Sequence, residues 1–125
     1  MEPNKDVLEV GKKLVDYCKR NEVSKAVQEL YSESIESEEA MGTPEMPSHM
    51  SGIDAIKKKN KQWEDTMEVL KAEVNGPFPM GDRFAVHFNY DAKEKKTGKQ
   101  MKMEEVALYT VKDGKIIKEE FFYTM

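Results

Sequence analysis

The residues best placed to do chemistry are carboxylates in strand-like runs. Glu105 lies in QMKMEEVALYTV and Glu119 in KIIKEEFFYTM, where apolar and polar residues alternate with the two-residue period of a β-strand. That parity groups Glu105 with Met101, Met103, Ala107, Tyr109 and Val111, and Glu119 with Ile117, Phe121 and Tyr123. Glu39 closes a third run, YSESIESEE, and shares a side with Ile35 and Ser37. Partly buried neighbouring carboxyls push each other's proton affinities apart, so one can serve as acid while another serves as base. The same carboxyls can equally pair with Lys, Arg or Tyr hydroxyls and simply satisfy one another.

Other polar residues carry weaker signals. A third helix places Ile53, Ile56, Asn60, Trp63 and Met67 on one face. An amide on such a face costs about 1–3 kcal/mol if unpartnered, so Asn60 must bond a backbone group, a neighbouring side chain, water or a ligand. Trp63 beside it is either core or a stacking platform. His87 alternates with Val86 and Phe88 and is expected on the outer sheet face; His49 falls in a Met-rich loop and is expected to be solvated. Neither histidine has the helical partner or acidic cluster of a metal site. Cys18 is the only cysteine, which excludes an internal disulfide and reads as a small buried hydrophobe. The KKKNK run at 57–61 spreads around more than half of a helical wheel and reads as solvated surface.

The whole chain bounds these candidates. Its 125 residues predict a single domain, 1–125. With 24 acidic and 20 basic side chains the formal charge is −4, and the one basic run reads as a solvated helix surface, so neither nucleic acid nor an anionic membrane is an expected partner. Residues 21–50 hold seven Glu against Lys25 and account for more than the whole surplus. The first residues, MEPNKDVLEVGKK, carry charges every few positions, and no later run approaches the ~18 apolar residues of a membrane span. A soluble, cytoplasmic protein is expected, and with no phosphate loop, no cofactor.

The elements that must position the carboxylates can be read in outline. Val7, Val10, Leu14 and Cys18 mark one amphipathic helix, and Asn21 is placed to cap a second, shorter one through Leu30. SESIESEE reads as an edge strand, and residues 40–50 as a loop whose Met41, Met46 and Met50 form either a flexible lid or filler. Ser51 and Asp54 suggest a capping box for the third helix. EVLKAEVNGP is a strand followed by a turn-rich PFPMGD linker, and RFAVHFNYD, KQMKMEEVALYTV and KIIKEEFFYTM complete the sheet around an Asp113-Gly114 hairpin turn. Helices first and strands after are the α+β pattern.

Four strings, LVDYCKRNEVSKAVQELYSESIESEE, SGIDAIKKKNKQW, GDRFAVHFNYD and EEVALYTVKDGKIIKEEFFY, resemble the SnoaL-like branch of the nuclear transport factor 2-like superfamily. The resemblance implies three N-terminal helices on a strongly curved antiparallel sheet, forming a cone with an internal pocket and a homodimer through the outer sheet face. It turns Glu105 and Glu119 inward with Glu39 as acid/base candidates, and gives a lining of Val15, Asn60, Trp63, Met103, Tyr109, Phe121 and Tyr123. In the ketosteroid isomerase branch an oxyanion hole is built from a Tyr and a neutral Asp; those positions fall here on Val15 and Ala107, which cannot donate, while the general-base position falls on Glu39. Ordinary ketosteroid isomerase chemistry is therefore not expected. The expected function is binding of a small hydrophobic organic molecule with cofactor-independent isomerase, cyclase or dehydratase-like proton transfer. The alternative is a non-catalytic ligand-binding or dimerisation module.

Overall fold

Val7, Val10, Leu14 and Cys18, spaced by three and four residues, are all buried along one side of α1 (Lys5–Lys19). The computed structural model describes residues 5–124. Helix α1 ends in a Schellman arrangement: Glu22 N–H bonds the Tyr17 carbonyl at 2.9 Å, Asn21 N–H bonds the Cys18 carbonyl at 3.1 Å, and Asn21 takes a left-handed φ of 56°. This corrects the expected role of Asn21. It closes the first helix, a conformation Asn tolerates, and α2 (Val23–Leu30) starts at Glu22 without a side-chain cap.

After α2 come β1 (Tyr31–Glu38), β2 (His49–Ser51), α3 (Ile53–Thr66), β3 (Met67–Met80), β4 (Arg83–Glu94), β5 (Gln100–Lys112) and β6 (Lys115–Phe122). The strands form one sheet in the order β2-β1-β6-β5-β4-β3. The α+β class holds, but the sheet is mixed, because β1 runs parallel to β6 while the other neighbours are antiparallel. Two further expectations change. SESIESEE is not an edge strand, since β2, taken from the end of the Met-rich loop, covers Glu36 to Glu38. PFPMGD is not a linker, because β3 continues through Met80 after an irregularity between Asn75 and Phe78, where Gly76 adopts a φ of 138°. Two prolines are tolerated there because β3 is itself an edge strand, where a missing N–H breaks no ladder.

Helix α3 starts at Gly52, whose φ of 89° suits glycine, and no side chain caps it. Ser51 is held as the last residue of β2, so the expected capping box does not form. Asp113 and Gly114 both have positive φ, 53° and 77°, the two-residue hairpin geometry expected between β5 and β6. A bulge follows at once. Val111 pairs with Ile116 but Thr110 pairs with Lys118, leaving Ile117 as the extra residue. The bulge breaks the strict alternation that grouped Ile117 with Glu119: Ile116 and Glu119 are both buried although three residues apart.

The helices cover one face of this sheet. Helix α1 lies so close to β3 that a Cβ on Gly11 would sit 2.8 Å from the Pro77 Cβ. Leu14, Val27, Ile35, Ile56, Phe84, Val86 and Ile116, all at 2% exposure or less, fill the space between the layers. Along β5 the inward residues pass from buried Val111, Tyr109 and Ala107 to partly exposed Glu105, Met103 and Met101, so one end of this inner face is open to solvent. No helix among the described residues is long and apolar enough to cross a membrane.

Candidate functional site

Glu119 is the most buried acidic residue described, 1% exposed. The β6 bulge turns it onto the inner face, where it stands between Ser37 of β1 and Tyr109 of β5. Both of its oxygens are satisfied. Tyr31 Oη donates to Oε1 at 2.5 Å, and Ser37 Oγ and Lys59 Nζ donate to Oε2 at 2.8 and 2.9 Å. Lys59 also donates to Glu39 Oε1 and to Ser37 Oγ, each at 3.2 Å, and its ammonium lies 4.8 Å from the Phe121 ring centroid.

Lys59 is the residue that the sequence reading missed. It lies three positions beyond fully buried Ile56, and its aliphatic stem runs along the apolar side of α3 until the ammonium reaches the carboxylates; its side chain is 14% exposed. It is therefore not part of a solvated basic surface. One signal could have found it: three carboxylates assigned inward with no cation demand a partner, and a helix packed on the same face is where to look. Burial alone would depress the Lys59 ammonium, but Glu119 and then Glu39 outweigh it and hold it above the ordinary lysine value.

Glu105 faces the same region from β5, opposite buried Phe88. Burial pushes its carboxyl up to about 7; Glu39 and Glu119 raise it, and Lys59 opposes them. Tyr123 sits at the open end, partly exposed; burial raises its phenol, which also interacts with the Glu39 carboxylate and the Met41 backbone. The three acid/base candidates are thus brought together around one lysine.

The other expected site residues divide. Tyr109 is buried, stacked on Phe84 at 4.9 Å and edge-on to Phe121 at 6.4 Å. Val15 is core, 4% exposed, and Ala107 is fully buried, so neither supplies a donor. Met103 and Trp63 are partly exposed, and so is Asn60, which makes no side-chain hydrogen bond among the described residues. The helical amide is therefore not the polar anchor; the lysine one position before it is. Of the loop methionines, Met50 is the buried central residue of β2, whereas Met41 is 46% exposed.

Cys18 is buried, and burial followed by Glu119 and Glu105 pushes its thiol up to about 12, which leaves it unreactive near neutral pH. His87 meets Glu104 at 2.7 Å on the outer face, and His49 meets Glu38 at 2.6 Å beside β2, away from the cluster. No group of metal-binding side chains occurs among the described residues. Two concavities, about 70 and 240 Å³, also lie elsewhere: one over Lys71, Glu73 and Lys102, the other between α1 and the Gly76-Pro77 bend.

Residues 6–123 match the profile of the SnoaL-like domain. The chain belongs to the SnoaL-like domain family. A crystal structure of a candidate SnoaL-like polyketide cyclase from Mesorhizobium loti is 36% identical, with a TM-score of 0.85, and the match covers 92% of this chain and 97% of that one. A candidate isomerase from Bacillus subtilis shares the fold at a TM-score of 0.77 and 15% identity, covering 99% and 90% of the two chains. A cystatin-like protein of unknown function from Xanthomonas campestris does so at 0.76 and 15%, covering 95% and 91%. No curated protein gives a significant match.

The buried ion pair of this SnoaL-like domain makes a direct test. Lys59→Met leaves Glu119 buried without its cation and is expected to cost about 3–5 kcal/mol in urea unfolding. Adding Glu119→Gln should recover a substantial part. A Lys59→Met loss below about 1 kcal/mol, the scale of an exposed pair, would contradict the assignment.

Proposed function

We propose that this SnoaL-like domain binds a small hydrophobic organic molecule at the open end of its inner face and moves a proton on it without a cofactor. One observation carries the reading: Glu105, with a carboxyl midpoint raised to about 7, faces Lys59, a cation locked in place by Glu119 and Glu39. A carboxyl poised near neutral pH is suited both to take and to return a proton. Lys59 supplies a fixed positive charge toward which negative charge on a ligand oxygen can develop, the element missing when Val15 and Ala107 are considered alone. Glu119 acts through Lys59, with Tyr31 and Ser37 holding it. Glu39 is the second acid/base candidate, since an acceptor on the ligand can take over its 3.2 Å contact with Lys59. Met103, Phe121, Tyr123 and Trp63 form the apolar wall, and Asn60 is left to bond the ligand. The candidate cyclase and isomerase among the similar structures support proton chemistry in this fold, although fold alone never assigns it.

The test is exchange of carbon-bound hydrogen for deuterium in aromatic ketones that bind the protein, followed by NMR. Wild type should catalyse exchange, and Glu105→Gln should slow it by about 10²-fold or more. Equal rates in the two proteins would remove Glu105 from the mechanism.

A second reading concerns assembly. On the outer face Val106, 40% exposed, pairs across the strands with Phe122, 54% exposed, and Leu108 lies next to them. We propose that this apolar patch joins two copies of the chain. Val106→Lys should convert a dimer to monomer in sedimentation equilibrium without lowering thermal stability of the fold; a wild-type monomer, or a dimer indifferent to the change, would overturn it. Cytoplasmic residence is proposed on the same footing, from the single unpaired cysteine and the charge pattern.

A further inference from the structure

The open end sets three carboxyls against one ammonium, and their contacts show which carboxyl is left over. Lys59 has three N–H donors, and all are engaged, on Glu119 Oε2, Glu39 Oε1 and Ser37 Oγ. Its charge is matched before it meets Glu105. Glu105 itself makes no hydrogen bond and no ion pair among the described residues. Its surroundings are aromatic. Phe88 lies opposite on β4 and stacks on Tyr90 at 5.6 Å, and the β5–β6 register carried one step past Val106 and Phe122 brings Tyr123 across from it. This wall already accepts an ammonium, because Lys59 Nζ rests over the Phe121 face.

We infer that the ligand of this site carries a protonated amine or a similar organic cation, its charge set against Glu105 and its apolar part against Phe121, Tyr90 and Tyr123. The inference rests on the proposal that the open end is the ligand site, and adds the sign of the ligand's charge. An anion there would face Glu39, Glu105 and Glu119, and would have to displace Glu39 to reach Lys59. A neutral ligand could offer Glu105 a hydrogen bond but no opposite charge. A cation also holds Glu105 ionised, the form in which it can accept a proton.

The groups facing Glu105 define how binding depends on pH. Glu39 at the end of β1, Lys59 of α3 and Glu119 of β6 act on it as charges. Cys18 of α1, with Tyr90 on the neighbouring β4 and Tyr109 further along β5, stays protonated through neutral pH, because burial raises all three; Tyr123 is raised too. Glu105 is therefore the group whose proton competes with a ligand cation, and affinity should fall as pH drops below its midpoint of about 7.

The experiment titrates isotope-labelled protein with benzylamine, benzyl alcohol and benzoate, reading affinity and location from amide shifts. Benzylamine should bind at least about tenfold more tightly than benzyl alcohol, the weight of one charge-assisted hydrogen bond, with the largest shifts at Glu105, Phe121 and Tyr123. That advantage should shrink below the Glu105 midpoint in wild type and vanish in Glu105→Gln. Alcohol or benzoate binding as tightly at the same residues would overturn the cation while leaving the ligand site in place. Absence of shifts at the open end with all three probes would overturn both.

Discussion

A carboxylate with almost no contact with water can persist only if nearly every lone pair is met, and Glu119 sets that condition for the rest of this structure. Tyr31 and Ser37 meet it from the adjoining strand β1, and Lys59 from the helix packed above. The consequences spread outward. Lys59 cannot turn to solvent without stranding Glu119, so α3 is fixed against β1 and β6 through its charge as well as through Ile56. With its donors committed to Glu119, Ser37 and Glu39, Lys59 reaches Glu105 only as a more distant charge. Glu105 is then left to burial and to two like charges, and its carboxyl stays protonated well above the usual range.

This arrangement separates two roles that a filled interior would otherwise merge. The deep part of the inner face is packed solid by Phe84, Tyr109, Ile35 and Ile116, and gives the fold its stability. Toward the open end the same strand faces carry partly exposed Glu105, Phe121 and Tyr123, within reach of solvent. Glu119 lies at the boundary, buried like the core yet ionically tied to the open end. The fold alone does not assign a function; the residues of a site do.

Much of the architecture was legible from local pattern. Helix periodicity in Val7 to Cys18, strand alternation in residues 101–111 and the Asp113-Gly114 turn each depend on neighbours within a few residues, and each appears as expected. What was not legible required information from distant chain. The parallel pairing of β1 with β6 joins residues more than eighty positions apart, and β2 forms only because β1 offers it an edge. The bulge at Ile117 is one residue of slack that no alternation pattern announces, yet without it Ile116 and Glu119 could not both turn inward. The carboxylates Glu39, Glu105 and Glu119 followed from parity together with resemblance, whereas Lys59 was hidden in a run of lysines. Lys57, Lys58 and Lys61 are chemically identical to it, and only the position of Ile56 relative to the sheet distinguishes the one that points in.

Lys59 is committed to Glu119 and Glu39, which leaves Glu105 a partly buried carboxyl with a displaced midpoint. A pH titration of the Glu105 side-chain carboxyl by carbon-13 NMR, identified by its loss in Glu105→Gln, tests this most directly. A midpoint near 7 is expected, with a further rise in Lys59→Met, because Lys59 is the one nearby charge that lowers it. A midpoint near the ordinary 4.5 that does not respond to Lys59→Met would contradict it.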